Sequence, residues 1–345
     1  MDAPTTSKPR FTIDSLPLPV VQAPMAGGPS TPELAAAVST AGGLGFLAAG
    51  YKTAATMKAE IEATRKLTDG PFGVNVFVPQ PSMISPEALD RYALSLAPEA
   101  ERLGVALGDP RHDDDDWDNK IEVLLEQAPA AVSFTFDLPD TDVIAALQQR
   151  GVYVIGTVTS SAEAVQAVAA GVDALCVQGP EAGGHRGTFD TAPRPEGENL
   201  HGLLDELSGL HVPLIAAGGI ATGADTRAAL VHGAAAVQAG TAFLRADEAG
   251  TKAAHRLALS AGRFTSTAVT RAFSGRNARG LHNGFMRRHD PDAPYGYPEI
   301  HHLTAPLRAA AAAAGDPESM SLWAGTGFAR TSEGPAAQIL ASLRP

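Results

Sequence analysis

Cysteine is almost missing from this chain of 345 residues: Cys176 stands alone. No intrachain disulfide can form, no cysteine cluster can hold a metal, and a reducing, cytoplasmic setting fits best. Basic residues are scarce beside acidic ones, 26 Lys and Arg against 38 Asp and Glu, so the formal charge is −12. Such a field argues against a nucleic-acid or anionic-membrane partner, yet stays compatible with a small anion held by local groups. Long apolar runs are missing too. Nothing approaches the ~18 uncharged residues of a membrane span, and the opening MDAPTTSKPRFT lacks the apolar centre of a secretory signal. The chain reads as soluble, with length for one large domain with insertions or for two ordinary ones.

Alanine and glycine are abundant instead, and eight short strand-like runs alternate with helical stretches. The runs are Pro19 to Ala23, Gly45 to Ala48, Gly73 to Phe77, Ala131 to Phe134, Tyr153 to Thr157, Ala174 to Gln178, Pro213 to Ala217 and Ala235 to Ala239. Helices are expected between them at Thr31 to Ala41, Ala54 to Leu67, Asp118 to Gln127, Thr141 to Gln149, Ser161 to Ala169, Leu200 to Leu207 and Gly223 to Val231. Several start at a cap, such as Thr31 or Ser160, and several stop at a glycine, such as Gly151 or Gly171. Eight β/α units point to an α/β fold of the (β/α)8 TIM-barrel type, in preference to a doubly wound sheet.

Two segments exceed what a barrel needs. One is 79–117, with a helical piece around Pro86 to Leu103; the other is 250–345, with pieces around Ala253 to Ala261, Pro306 to Ala314 and Pro335 to Leu343. Both leave the C-terminal ends of strands, so the expected division is a barrel of 1–78 and 118–249 beneath a helical lid of 79–117 and 250–345.

The chemistry-bearing stretch is VQGPEAGGHRG, Val177 to Gly187, where a strand runs out into four glycines that enclose Glu181 and His185. An imidazole at a strand end is where a barrel keeps a catalytic group; taken alone, it reads more readily as a solvated loop histidine. AAGGIATG at Ala216 to Gly223 and VQAGTAFL at Val237 to Leu244 place Gly218, Gly219, Gly240 and Thr241 where barrels gather backbone amides on a phosphate. Ordinary turns also demand glycine there. Met25, in QAPMAGG, suits the edge of a flat apolar cofactor, or a core position beside a turn. Asn75, Gln178 and Gln238 are amides in apolar runs and read as a ligand's polar fringe.

Other features carry less. Gly43, Gly45 and Ala48 match a dinucleotide fingerprint by spacing but open a strand where the motif must follow one. HDDDDWD, His112 to Asp118, reads as a solvated acidic loop leading into a helix, and Cys176 as a small buried hydrophobe. Arg276 and Arg279 either clamp an anion or form salt bridges within the lid.

Taken together, QAPMAGG, GVNVFVP, VSFTF, VQGPEAGGHRG, AAGGIATG, QAGTAF, AFSGRNARGLHN, HHLTAPLR and LWAGTGF resemble the FMN-dependent nitronate monooxygenase family over nearly the whole chain. The resemblance implies FMN held by Asn75, Gln178, Gly183, Gly218, Gly219, Gln238, Ala239, Gly240 and Thr241, with Met25 near the ring and His185 beside the flavin and substrate. It implies a small-molecule nitronate and O2 as partners, with propionate 3-nitronate a candidate, and a homodimer as a candidate assembly. Thr326 stands where a Gln is expected, Asp137 where Gly is common and Thr135 where some relatives have His; these departures are expected on the substrate side. Under this reading His185 is a base towards a neutral nitroalkane or a hydrogen-bond donor to nitronate oxygens. Two rivals keep the barrel: an NAD(P)H-dependent flavin reductase acting on a quinone or enoyl thioester, and a phosphate-ligand barrel without redox chemistry.

Overall fold

A computed structural model describes residues 10–190 and 198–345. The first nine residues of the opening stretch lie outside the described residues. Eight strands form one parallel sheet: β1 (Val20–Gln22), β2 (Gly45–Ala48), β3 (Phe72–Phe77), β4 (Ala131–Thr135), β5 (Tyr153–Val158), β6 (Ala174–Gln178), β8 (Leu214–Ala217) and β9 (Ala236–Ala239). Their order is β1-β9-β8-β6-β5-β4-β3-β2. The ring is closed where Gln22 N donates to Leu44 O at 2.9 Å and Leu44 N to Val20 O at 3.0 Å. This is the expected (β/α)8 barrel, and each expected run carries one of its strands.

Alternation along the strands sorts the side chains. Val21, Phe46, Ile155, Cys176 and Ile215 fill the barrel, whereas Val20, Val74, Val132, Val154 and Leu175 face outward onto the helices, as the period of two requires. Cys176 is accordingly core, and burial pushes its thiol up to about 12. Around the barrel run α1 (Pro32–Thr40), α2 (Ala54–Leu67), α4 (Trp117–Gln127), α5 (Thr141–Gln149), α6 (Ser161–Ala170), α7 (Leu200–Leu207) and α8 (Gly223–Val231). Thr31, Thr53, Ser160 and Asn199 each accept an amide of the first turn, and Thr222 with Asp225 forms a capping box.

The last helix, α12 (Ala336–Ser342), completes that ring. Its Ile339 and Leu340, with Leu343, join the outer core, and the Arg344 carbonyl lies against Gly223 at the start of α8. The expected 250–345 lid segment therefore ends in a barrel helix. Its apolar residues cover the outer face of the sheet, which connectivity alone does not reveal.

Above the strand ends lie α3 (Pro86–Leu103), α9 (Ala253–Ser260), α10 (Gly284–His289), α11 (Glu299–Ala313) and a small sheet of β7 (Gly184–His185), β10 (Thr267–Thr270) and β11 (Ala278–Leu281). Tyr92 and Leu96 of α3 pack on Phe273, Phe285, Ile300 and Leu303, so the two extra segments share a core. Helix α11 begins about two turns before the expected Pro306, which sits in its interior. Burial of Ile300, Leu303 and Leu307 overrides the proline signal. The acidic tract also differs from expectation. Asp115 pairs with the buried Lys120 at 2.7 Å, Asp113 with His302 at 2.7 Å, and Asp116 accepts Ala54 N at 2.7 Å. A solvated loop in the sequence is thus a clasp between the start of α2 and the lid.

Gly45 tests the strand-to-helix spacing, since a Cβ there would stand 2.1 Å from Ala35 O. Backbone on both sides has no room to yield, so Gly45→Ala is expected to cost about 3 kcal/mol or more. A urea midpoint equal to that of the parent chain would contradict this packing.

Candidate active site

His185 sits at the mouth of the barrel because β7 is a strand of the lid sheet. Ala278 pairs with His185 and Arg279 with Gly184, antiparallel, in the loop that follows β6. Gly183 permits the approach: a Cβ there would lie 2.4 Å from Gly325 N. Gln178 braces the loop from below, its Nε2 donating to His185 O at 3.0 Å and its Oε1 accepting Gly187 N at 2.8 Å.

Two arginines hold the rest of the loop. Arg276 is 1% exposed. It donates to Arg186 O at 3.2 Å, to Gln80 Oε1 at 2.6 Å and to Thr188 O, and lies 3.9 Å above the Phe136 ring. Arg186 donates to Gln178 O and to Thr159 O. Burial lowers both guanidinium groups to about 10. Arg279 donates to Pro180 O at 2.8 Å and Thr267 Oγ1 at 3.1 Å. Arg276 and Arg279 are therefore loop supports that bind backbone and neutral side chains, which is neither of the roles left open by the sequence.

The imidazole of His185 is half-buried among Phe136, Tyr297 and Trp323, with ring centroids 5.9, 5.8 and 5.4 Å away. Its Nε2 lies 2.8 Å from Ser274 Oγ. Burial, then the charges of Arg276 and Arg308, push its pKa down to about 3, so the ring is neutral at ordinary pH.

The ring opens on a cavity of about 340 Å³ at the strand ends, lined by His185 and by all ten residues expected around the cofactor. At one end, Gly218 (φ +134°) and Gly219 (φ +71°) turn the chain through conformations that favour glycine. The amides of Gly218, Gly219, Gly240 and Thr241 meet no protein carbonyl among the described residues. Together with the short helical turn Thr241–Phe243 they make a donor-lined cradle at one end of the cavity, an arrangement that suits an anion. Thr241 Oγ1 is engaged, accepting Gly325 N at 2.9 Å.

The floor is polar. Asn75 Nδ2 donates to Ser133 O, Ser133 Oγ and Thr135 Oγ1 at 2.9–3.0 Å, and Gln238 Nε2 reaches Cys176 Sγ at 3.2 Å. Their oxygens take no protein donor among the described residues, and both residues line the cavity with Met25, whereas both ends of Gln178 brace the His185 loop. Of the three departures, Thr135 does line the cavity. Thr326 lies at the cradle, 3.4 Å from where a Cβ on Gly219 would stand, so it faces the anion end where the substrate side was expected. Asp137 turns its carboxylate onto the Leu138 amide.

Several lining residues escape sequence reasoning: Tyr51, Lys252, His255, His301, Arg308 and Trp323. HHLTAPLR and LWAGTGF contain three of them, with no spacing that singles them out. Arg308 donates to Thr304 Oγ1 at 3.2 Å and His301 O at 2.7 Å, and no carboxylate pairs with it among the described residues. Arg308 and Lys252 are the two cations that line the cavity, and Arg308 is the one held on helix α11. No cluster of metal-ligating residues occurs among the described residues, and no helix there is long and apolar enough to cross a membrane.

A family model described as nitronate monooxygenase matches residues 10–345. A nitronate monooxygenase of Pseudomonas aeruginosa is 41% identical over 97% of both chains. The solved structure of nitroalkane oxidase from Streptomyces ansochromogenes is 50% identical, with a TM-score of 0.93 and 96% of each chain covered. FabK from Thermotoga maritima is 28% identical, with a TM-score of 0.74, over 98% of this chain and 95% of its own.

The buried imidazoles make stability pH-dependent in a stated direction. His185 is lowered to about 3 and His255 to about 4, both chiefly by burial, from an ordinary 6.5. Between 6.5 and those values the unfolded chain binds protons that the folded chain refuses, so stability falls as pH falls. The melting temperature is expected to drop from about pH 7.5 to about pH 5, and His255→Gln to shrink that drop. A melting temperature that rises on acidification would contradict the burial of these rings.

Proposed function

The chain belongs to the nitronate monooxygenase family, and on that premise we propose that its cavity holds FMN and oxidises alkyl nitronates with O2 to a carbonyl compound and nitrite. The observation that carries this reading is one cavity that joins an amide cradle, a polar floor and a neutral imidazole. The cradle offers four donors without acceptors, which suits the phosphate of FMN. The oxygens of Asn75 and Gln238 are placed to receive ring or ribityl donors, with Met25 against an apolar edge. Bound flavin supplies the redox chemistry that links nitronate to O2; the protein supplies position and field.

In that setting the lid segments exclude water and carry the cations that favour an anionic substrate. Arg308 faces the cavity without a carboxylate partner, and burial lowers its pKa, the signature of a charge in want of an anion. This favours propionate 3-nitronate, whose carboxylate would pair with Arg308 while the nitronate lies towards His185. A pre-formed nitronate needs no base. For a neutral nitroalkane, His185 is the group placed to take the proton, and its depressed pKa keeps the base form present at any pH well above 3.

The purified protein is expected to be yellow and to consume O2 with nitronates in the absence of NADH. Rapid anaerobic bleaching by NADH would favour the reductase, and a colourless protein that cannot be reconstituted with FMN the non-redox barrel. His185→Asn is expected to lower nitroalkane oxidation by about 100-fold and nitronate oxidation far less; equal losses would remove the base role. Arg308→Met is expected to raise KM for propionate 3-nitronate by about 10-fold or more, since a charge-assisted bond is lost. A similar rise for ethyl nitronate would show that Arg308 does not read the carboxylate.

A further inference from the structure

We infer that Ser274 is a positioning residue that holds His185 in the tautomer with hydrogen on Nε2, leaving Nδ1 as a bare lone pair for the substrate. This rests on the reading of His185 as the group that faces the substrate. Ser274 is 2% exposed, and its backbone is fixed in a turn in which Ser274 N donates to Arg271 O at 3.2 Å and Gly275 N to the same oxygen at 2.7 Å. Its hydroxyl oxygen lies 2.8 Å from His185 Nε2 and 3.3 Å from Arg276 O.

A hydroxyl has one hydrogen, and it has two acceptors to choose from here. If it goes to Nε2, Arg276 O is left without a donor among the described residues, in a residue 1% exposed. A buried carbonyl without a donor is unfavourable. If it goes to Arg276 O, the hydroxyl oxygen accepts the Nε2 hydrogen, and both Nε2 and the carbonyl are satisfied. The second arrangement therefore prevails. Nδ1 then carries no hydrogen, and no protein donor among the described residues reaches it.

The consequence is chemical. Nδ1 takes the proton from the α-carbon of a neutral nitroalkane, the C–H electron pair becomes the C=N bond of the nitronate, and the negative charge moves to the nitro oxygens. The imidazolium carries the balancing positive charge, and its Nε2 hydrogen stays on Ser274 Oγ throughout. Burial, and then the charges of Arg276 and Arg308, make the ring a weak base, but the anion formed beside it offsets the charge it gains. A pre-formed nitronate bypasses the step, so Ser274 matters for one substrate class and not for the other.

The test uses the FMN-loaded enzyme labelled with ¹⁵N-histidine, with His185→Asn to assign its signals among the ten histidines. The wild type is expected to show an unprotonated Nδ1 and a protonated Nε2. Ser274→Ala is expected to mix the tautomers and lower kcat/KM for nitroethane by about 10- to 100-fold, with ethyl nitronate changed by no more than about twofold. Ser274→Thr, which keeps the hydroxyl, is expected to restore both the signals and the rate. A hydrogen on Nδ1 in the wild type overturns the inference, as does a Ser274→Ala enzyme that loses both substrates alike. A wild type with the stated tautomer that oxidises no nitronate would sink the functional reading and leave the tautomer assignment standing.

Discussion

The pairing of β7 with β11 is the constraint on which the site depends. Two residues, Gly184 and His185, leave the barrel after β6 and are captured by Ala278 and Arg279 of the lid. A glycine-rich loop of this length is ordinarily the most mobile part of a barrel. Here its backbone is paired to a second sheet, its carbonyl is held by Gln178 and its flank by Arg276. The imidazole gains a fixed direction from two layers at once, so the lid helps build the site as well as cover it. A group that must meet a reacting carbon within a fraction of an ångström requires such support.

The electrostatics follow from the same support. The chain carries a formal charge of −12, yet Arg186, Arg276 and Arg308 surround the His185 loop without carboxylate partners among the described residues. Arg186 and Arg276 are bound to carbonyls and a neutral amide, which satisfies their hydrogens without neutralising their charge. In a low-dielectric interior such charges reach further than in water. Burial first, and then the charges of Arg276 and Arg308, keep His185 neutral, and these cations favour an anion inside a protein whose outer field repels them. Composition constrains macromolecular partners; the charge met inside the cavity depends on a few side chains such as Arg308 and Lys252.

The barrel was legible because its signals are local: strand runs bounded by turns, caps at Thr31 and Ser160, and glycines at helix ends. The glycines of the cradle were legible for the same reason, as they mark where backbone must turn and approach. The lid was not. Pro306 reads as a helix start, and only burial of Ile300 and Leu303 against α3 shows that the helix begins earlier. Arg308 and His301 lie about two turns apart on α11, but that helix was not expected to reach back to His301, and Tyr51 comes from a distant stretch with no spacing rule to join them. Arg276 was visible in AFSGRNARG, but its role depends on Gln80 and Thr188, far away in sequence. That the amide of Gln178 also braces the His185 loop was not legible, because a sequence cannot show that the chain folds back within nine residues to use both its ends.

Least legible of all is the strain. Tyr51 (φ +67°) and Phe136 (φ +85°) hold left-handed backbone at the ends of β2 and β4, where a glycine would be expected. Each such residue costs on the order of 1–3 kcal/mol and persists only where its surroundings over-determine it. The surroundings do so here. Tyr51 stacks on His301 at 4.0 Å, nearly parallel, while Phe136 lies beneath the Arg276 guanidinium at 3.9 Å and edge-on to His185 at 5.9 Å. The strained conformations aim two aromatic rings at the same charged and titratable groups that define the site. A straighter backbone after β4 would withdraw the Phe136 wall from His185, and one after β2 would unstack Tyr51 from His301, so local stability is given up where the cavity needs its shape.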